Sequence, residues 1–144
     1  MLSNRSIPDA LVMPVLGYRD VAEAVAWLCG AFGLTERMRI ADHRAQLNVG
    51  PNAAIIVAQS DVTPPVSAGA RSRGPFAVMV RVTDAHAHYE RALAHGAAID
   101  GPPVDYPFGE RQYSAIDLGG HAWTFTQTIA DIAPESFGAQ LLNP

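Results

Sequence analysis

Arginine and amide side chains alternate with apolar ones along short stretches of this 144-residue chain, and they are the residues best suited to binding chemistry. Arg44, Gln46 and Asn48 occupy every second position of one stretch, the spacing that places side chains on one face of a β-strand. Arg111 and Tyr113 share a face of a second predicted strand, and neither of its faces is apolar enough to decide which one points inward. Because a guanidinium group binds carboxylate or phosphate through two parallel hydrogen bonds, these stretches predict contacts with an anionic or polar aromatic molecule.

Histidines and carboxylates offer fewer candidates for catalysis. His86 and His88 stand two residues apart on a predicted helix and point in different directions, which predicts solvated side chains rather than ligands. His121 follows a turn, where we expect a structural hydrogen bond, with acid–base chemistry as the alternative. Glu110 and Asp105, in predicted loops, are the remaining candidates for a general base.

Composition narrows the function further. The chain is 49% hydrophobic and 17% charged with a formal net charge of −4, and it lacks the basic stripe typical of nucleic-acid binding. Cys29 is the only cysteine, so no intrachain disulfide can form and we expect a reducing, cytoplasmic location. The sequence shows no apolar signal segment and no run of the ~20 apolar residues that span a bilayer, so no membrane partner is expected.

Two helices with matching start signals must position these residues. Asp20 stands at the N-cap position of the first, Glu23 follows three residues on, and Gly33 is suited to end it. Asp84 takes the same place before a second helix that runs through Ala94. Short predicted strands flank each helix, so the two halves of the chain form an internal repeat.

The repeat predicts one α+β domain over residues 1–144, made of two βαβββ modules at about residues 10–60 and 75–128. The other predicted segments are a frayed arm over residues 1–9, a Pro/Gly/Ser-rich linker over 60–75 and a C-terminal tail over 129–144. Near the end of the second module, Asp117-Leu118-Gly119-Gly120 predicts a tight turn between two strands, because glycine adopts positive φ easily and aspartate can accept from its own backbone.

Three segments together resemble the vicinal oxygen chelate superfamily, which contains glyoxalase I, extradiol dioxygenases, fosfomycin-resistance enzymes and bleomycin-resistance proteins. They read PVLGYRDVAEAVAWLCGAFG at residues 14–33, VRVTDAHAHYERALAHGA at 80–97 and GERQYSAIDLGGHAWTF at 109–125. Within the superfamily they are most similar to the PhnB-like, glyoxalase-like branch. The resemblance implies paired βαβββ modules that form a cup-shaped mixed sheet with the helices packed outside, usually in a homodimer.

The resemblance also implies four metal-ligand positions, which fall at Met13, Ile56, Ala77 and Thr124. None of these residues supplies an imidazole or a carboxylate, whereas zinc, nickel or iron needs about three to four converging N, O or S donors. We therefore expect neither a metal nor another cofactor. Glyoxalase I and extradiol dioxygenase activities are not expected either, since both need the ion.

The remaining cup lining follows from strand alternation. If Ala77 points into the implied cup, Met79 and Arg81 point the same way, and Tyr106 and Phe108 fall on a rim loop. The expected ligand-binding residues are Met13, Arg44, Gln46, Asn48, Ile56, Met79, Arg81, Tyr106, Phe108, Arg111, Tyr113 and Thr124. Arginines recur among them while carboxylates are missing from the strands that supply this lining, so the expected ligand is anionic or aromatic.

These residues favour a metal-independent small-molecule-binding protein of the glyoxalase/bleomycin-resistance type, one that sequesters an antibiotic or a toxic metabolite. The alternative is an enzyme of the same superfamily, such as a lyase, an isomerase or a dioxygenase-like protein. It would use residues or a metal at positions other than those of the family. A third hypothesis is a dimerisation module whose pocket has no function.

Overall fold

The two halves of the chain build two β-sheets, in a computed structural model that describes residues 2–62 and 75–143. The first half contains β1 (Val15–Tyr18), α1 (Val21–Phe32), β2 (Thr35–Ile40), β3 (Arg44–Val49) and β4 (Ala53–Gln59). The second half contains β5 (Val78–Arg81), α2 (Ala85–Ala94), β6 (Ala98–Ile99), β7 (Val104–Asp105), β8 (Glu110–Ile116), β9 (Ala122–Thr128) and a final 3-10 turn (Pro134–Phe137).

Each sheet has the same mixed topology. In the first sheet the strand order is β1-β4-β3-β2, and only β1 and β4 run parallel. In the second sheet the order is β5-β9-β8-β6, β5 and β9 run parallel, and β7 also pairs with β8. The predicted α+β fold of two βαβββ modules with open, cup-like sheets is therefore confirmed. The second module has one additional short strand, because Pro102 and Pro103 interrupt the edge pairing of β8.

The helices begin and end where their caps predict. The Asp20 carboxylate accepts a hydrogen bond from the Glu23 amide at 2.9 Å, and Gly33 ends α1 with a left-handed φ of 74°. The Asp84 carboxylate accepts from the Ala87 amide at 3.0 Å at the start of α2. No helix of the described residues is long and apolar enough to cross a membrane.

The two modules share one core between the sheets and the helices. Phe32 at the end of α1 packs against Trp123 and Phe125 of β9, with ring centroids 5.2 and 4.7 Å away. The helices are also linked directly, because Trp27 donates to the carbonyl of His95 at 2.8 Å and Arg91 donates to that of Gly30 at 2.6 Å. Each sheet therefore has one face against this core, and we call the opposite face its inner face.

A buried carboxylate fastens the β8–β9 turn to β1. Asp117 accepts from the Gly119 and His121 amides at 2.9 and 3.0 Å, so it closes its own turn as predicted. It also accepts from the Tyr18 hydroxyl at 2.6 Å and from the Trp123 indole at 3.0 Å. Its neighbour His121 has the expected structural hydrogen bond, to the carbonyl of Gly17 at 2.7 Å. These contacts join the beginning of the chain to its end.

The structure describes the N-terminal arm but only the ends of the predicted linker. The arm predicted to fray is held instead, because the carbonyls of Arg5 and Ser6 accept hydrogen bonds from side chains of the first sheet and Pro8 is buried. Most of the predicted linker, residues 63–74, lies outside the described residues.

Candidate functional site

A row of polar side chains covers the inner face of the second sheet. Trp123 and Phe125 point into the core and are fully buried, so strand alternation turns Thr124 and Thr126 to the inner face. The register places Met79 beside Thr124 and Arg81 beside Thr126 on one flank. The predicted orientation of these two β5 side chains therefore agrees with the pairing of their strand.

Hydrogen bonds connect this row across β8 and β9. The Ser114 and Thr124 hydroxyls lie 3.0 Å apart, and the Gln112 amide donates to the Thr126 hydroxyl at 3.1 Å. The Thr126 hydroxyl donates in turn to the Glu110 carboxylate at 2.7 Å. Each side chain is therefore held by its neighbour. Thr124 and Thr126 are only 3% and 5% exposed, so the partly exposed Gln112 and Ser114 are the groups of this network that a ligand can reach more readily.

One arginine and one carboxylate are the charged groups of this row. Arg81 lies 3.9 Å from Glu110, and its side chain is 74% exposed while that of Glu110 is 15% exposed. Hydrogen bonds from Thr128 and Thr126, and then the nearby Arg81 charge, hold the pKa of Glu110 below its usual value. The prediction that carboxylates are missing from these strands is wrong, because Glu110 is the first residue of β8 rather than part of a loop.

An apolar cleft of about 380 Å³ adjoins the arginine, and we call it the seam cleft. It lies between β5, the lead-in to β1 at Val12 and Pro14, and the β3–β4 turn at residues 50–52 with the start of β4. Among the described residues that line it, Arg81 is the one charged side chain. The cleft thus offers an apolar wall beside a guanidinium group.

A second cleft, of about 480 Å³, lies at the other edge of the sheet, and we call it the rim cleft. It is bordered by residues 100–104, Tyr106, Gln112 and Ser114. Tyr106 stacks on Phe108 with centroids 5.3 Å apart and planes inclined by 14°, and Phe108 contacts Phe137 at 6.0 Å. The three residues are 41, 40 and 41% exposed, so this aromatic group is partly accessible to a ligand.

Tyr113 and Arg111 do not belong to the inner face, which corrects their prediction as ligand contacts. Tyr113 borders the rim cleft, but its ring is only 3% exposed, stacks on Phe125 at 5.2 Å and turns its hydroxyl to His88. Arg111 forms a two-point ion pair with Asp105 at 2.6 and 3.0 Å. Arg111 and Tyr113 share one face of their strand, as predicted. The core contacts of Tyr113 show that this is the core-facing side, opposite the inner face.

His88 is partly buried against the core, with its ring 4.1 Å from that of Phe125, rather than solvated as the sequence predicts. Its Nε2 faces the carbonyl of Phe32 at 3.0 Å, and because a carbonyl only accepts, Nε2 carries the proton and Nδ1 accepts from the Tyr113 hydroxyl. Burial, followed by the nearby Arg91 charge, lowers the pKa of His88. Burial likewise raises the pKa of the Tyr113 hydroxyl. The pair is therefore neutral and structural.

The lowered pKa of His88 predicts a loss of stability in acid. An unfolded histidine titrates near pH 6.5, so as pH falls below about 6.5 the unfolded state takes up this proton before the folded state does. The free energy of unfolding should therefore decrease from there until the pH passes the lower pKa of the folded protein. Urea unfolding between pH 8 and pH 5 measures this slope for the wild type and for His88→Gln.

His86→Gln is the matched control, because His86 is exposed on the same helix. We expect His86→Gln to keep the wild-type slope and His88→Gln to flatten it. Equal slopes in the two variants would show that the core pair does not control the acid response.

The chain's own arm lies over part of the inner face of the first sheet, at Gln46. Gln46 and Ile56, both predicted ligand contacts, are only 7% and 6% exposed. Gln46 donates to the Ser6 carbonyl at 2.9 Å and accepts from Arg37, which the sequence analysis did not single out. Of the other predicted contacts in this half, Arg44 is exposed at the start of β3, whereas Met13 and Asn48 are partly buried. The arm therefore covers the predicted lining at Gln46, beside Ile56, and we call this part of the first sheet the covered half.

The donor chemistry at the family's metal positions does not fit a metal ion. Met13, Ile56 and Ala77 supply one thioether and two aliphatic groups, and the Thr124 hydroxyl is engaged with Ser114. Within residues 2–62 and 75–143, no group of three or more His, Cys, Asp or Glu side chains is arranged to hold a metal. No step of a metal-dependent reaction can be derived from these residues.

Sequence reasoning left Gln112 and Ser114 of β8 out of the expected lining and placed Glu110 in a loop. A signal for the first two exists, because pairing β8 with β9 about the predicted turn sets Ser114 opposite Thr124 and Gln112 opposite Thr126. Once Thr124 is assigned to the inner face, these partners follow from the register.

Comparison with known proteins agrees with this architecture. The family model described as glyoxalase/bleomycin resistance protein/dioxygenase superfamily matches residues 10–125. The crystal structure of TioX from Micromonospora sp. ML1 is 33% identical with a TM-score of 0.64, over 85% of this chain and 98% of that one. The bleomycin-binding protein of bleomycin-producing Streptomyces verticillus, solved with copper(II)-bleomycin, is 19% identical with a TM-score of 0.58, over 81% and 93%.

Two further comparisons complete this picture. The fosfomycin resistance protein FosX from Listeria monocytogenes is 16% identical with a TM-score of 0.62, over 88% of this chain and 94% of that one. No curated protein matches the chain. At identities this low, the last two solved structures support the fold alone.

Proposed function

Because this chain belongs to the glyoxalase/bleomycin resistance protein/dioxygenase superfamily, we propose that it is a metal-independent small-molecule-binding protein of the cytoplasm. Its ligand carries a planar aromatic part and an anionic group, and binding sequesters an antibiotic or a toxic metabolite. Relatives of the same fold include a bleomycin-binding protein and a fosfomycin resistance protein, which supports this class of role.

The observation that carries the proposal is the position of Arg81 on the inner face of the second sheet. Its side chain is 74% exposed and lies at the seam cleft, where the other lining residues that the structure describes are uncharged. An anionic group can bind the guanidinium there while a ring packs on the apolar wall or on the exposed aromatic rings of the rim. The Glu110 carboxylate lies 3.9 Å from the Arg81 guanidinium and offers a contact to a cationic group. Comparing an anionic with a cationic probe therefore tests which charge the site prefers.

A superfamily enzyme is the second candidate, because Glu110 places a carboxylate on the open face. An efficient general base at neutral pH has a pKa close to 7. The hydrogen bonds from Thr128 and Thr126 shift the pKa of Glu110 in the opposite direction, below its usual value. This shift keeps the carboxylate charged and weakly basic, which favours binding over proton transfer.

We further propose that the protein is a homodimer, with the open faces completed across the interface. Large apolar side chains are exposed near the seam: Leu11 92%, Val12 76%, Val15 58%, Phe76 65% and Met79 64%. Their number supports an interaction surface, since exposed apolar clusters mark contacts between proteins. Sedimentation equilibrium tests this proposal, and a monomer at all concentrations would contradict it.

Replacing Arg81 with alanine should weaken binding of an anionic aromatic probe by about tenfold, the loss expected for one charge-assisted contact. Anilinonaphthalene sulfonate (ANS) is the probe, since it joins aromatic rings to a sulfonate. Its dissociation constant is measured by fluorescence titration and checked by calorimetry. Thioflavin T, a cationic aromatic dye, should bind the wild type more weakly than ANS does.

Arg111→Ala is the matched control, because Arg111 lies on the opposite face of the same sheet and pairs with Asp105. This variant should bind ANS as the wild type does. Equal losses in the two arginine variants, or a preference for thioflavin T, would refute the proposed site and ligand class.

A further inference from the structure

Residues 5–8 of the arm are attached to the first sheet by a closed set of hydrogen bonds. The Gln46 amide donates to the Ser6 carbonyl at 2.9 Å, and Arg37 donates to the Arg5 carbonyl at 2.8 Å. Arg37 also donates to the Gln46 side-chain oxygen, so both polar ends of Gln46 are occupied by its own chain. Pro8 is buried although the residues on either side of it are exposed.

This attachment determines which part of the inner surface a ligand can reach. Gln46 faces Ile56 across β3 and β4, and these two residues are 7% and 6% exposed. On the second sheet the matching pair is Ser114 and Thr124. Thr124 is only 3% exposed and is buried like Ile56, but Ser114 is partly exposed and borders the rim cleft, whereas its counterpart Gln46 lies under the arm. The two inner faces are thus unequal, although the two modules repeat the same topology.

We infer that residues 5–8 form a wall of the ligand site that confines a ligand to the half lined by the second sheet, and so limit its size. The inference rests on the proposed function, because it takes the inner face of the second sheet as the binding surface. Arg37 and Gln46 are then positioning residues, which act on the ligand only through the arm they hold.

The arm is held through its backbone carbonyl groups. Both anchoring side chains bind main-chain oxygens of the arm, so the wall does not require a particular side chain at residue 5 or 6. Removing one anchor deletes a hydrogen bond between the arm and the sheet and weakens the attachment of the arm. Releasing the arm should expose the first-sheet half without altering Arg81 or the rim.

Accessibility of the covered face gives the first test, in the full-length protein. In a Cys29→Ser background, Ile56→Cys places one thiol under the arm, and its reaction with N-ethylmaleimide is followed by mass spectrometry. Arg37→Met should accelerate labelling by about tenfold, because the thiol reacts only when the arm lifts. Gln46→Met should do the same and guards against misfolding of the first variant, with circular dichroism as the check on both.

Arg39→Met is the matched control for these variants. Arg39 stands two residues along the same strand, is paired with Glu36 and makes none of the described contacts with the arm. It should leave the labelling rate unchanged. Equal rates in Arg37→Met, Gln46→Met and Arg39→Met would overturn the inference.

Ligand size gives the second test, with ANS and its larger dimer, bis-ANS. Releasing the arm should tighten bis-ANS binding by about tenfold and leave ANS within about twofold, since only the larger dye needs the covered half. Faster labelling without a change in the bis-ANS to ANS affinity ratio would also overturn the inference. The proposed function fails on a different result, namely ANS binding that does not depend on Arg81, and in that case the labelling rates still decide whether the arm covers the first sheet.

Discussion

Asp117→Ala should lower the free energy of unfolding by about 3–5 kcal/mol, because it leaves several buried donors without an acceptor. Two of the four donors, the Tyr18 hydroxyl and the Trp123 indole, belong to side chains that are 2% and 0% exposed. The other two are amides of the β8–β9 turn. Since Tyr18 belongs to the first module, the substitution weakens both the turn and the junction between the modules.

Urea unfolding followed by tryptophan fluorescence measures this loss. Asp131→Ala serves as the control, because Asp131 is exposed beyond the end of β9, and it should change stability by less than about 0.5 kcal/mol. Asp117→Asn should fall between the two, because its oxygen can still accept from the turn while its NH₂ group faces the indole donor. A loss below about 1 kcal/mol in Asp117→Ala would show that the junction does not depend on this carboxylate.

The parts of the fold that the sequence predicted are those formed by contacts between residues close together in the chain. The caps at Asp20 and Asp84 and the Asp117 turn each depend on hydrogen bonds within four residues, so the sequence window contains both partners. The long hairpin also follows from local patterning, and its register then fixes which side chains face each other.

Features that depend on distant partners were not predictable in the same way. The two faces of β8 differ little in hydropathy, and what selects between them is the contact of Tyr113 with His88, twenty-five residues away. The arm leaves no clear sequence signal either, because Gln46 and Arg37 bind carbonyl groups, which every residue has. The strand register therefore agrees with the predicted orientation of Met79 and Arg81, whereas Tyr113 faces the core and Gln46 lies under the arm.

The charge environment of Glu110 also could not be predicted from its neighbours in the sequence. Its position one residue after Gly109 suggests a loop, yet Glu110 pairs with Thr128 as the first residue of β8. Strand pairing brings Thr126 and Arg81 to its carboxylate, so its environment is made by β5 and β9 rather than by its neighbours in sequence. The charge of the open face could be assessed only after the register of both strands was known.

Gly109→Ala should destabilise the protein by about 2–4 kcal/mol and displace the aromatic rim. Gly109 has a φ of +84°, where a side chain is strained, and an added Cβ would lie 2.2 Å from the carbonyl oxygen of Ala130. Its own carbonyl accepts from the Ile129 amide at 2.8 Å, so the tail crosses the rim loop at this residue. The methyl group must therefore push the tail away, and with it Phe137 from Phe108.

Urea unfolding gives the stability change, and aromatic NMR resonances of the rim report its displacement. Gly96→Ala is the matched control, because Gly96 has a similar positive φ of +83°, has no atom within 4 Å of an added Cβ and borders neither cleft among the described lining residues. If the rim rings contact the ligand, ANS affinity should fall in Gly109→Ala and stay unchanged in Gly96→Ala, under conditions where both variants are folded. A destabilised Gly109→Ala protein with unchanged ANS affinity would confine the site to the seam cleft and Arg81, since the close approach of the tail would then serve stability alone.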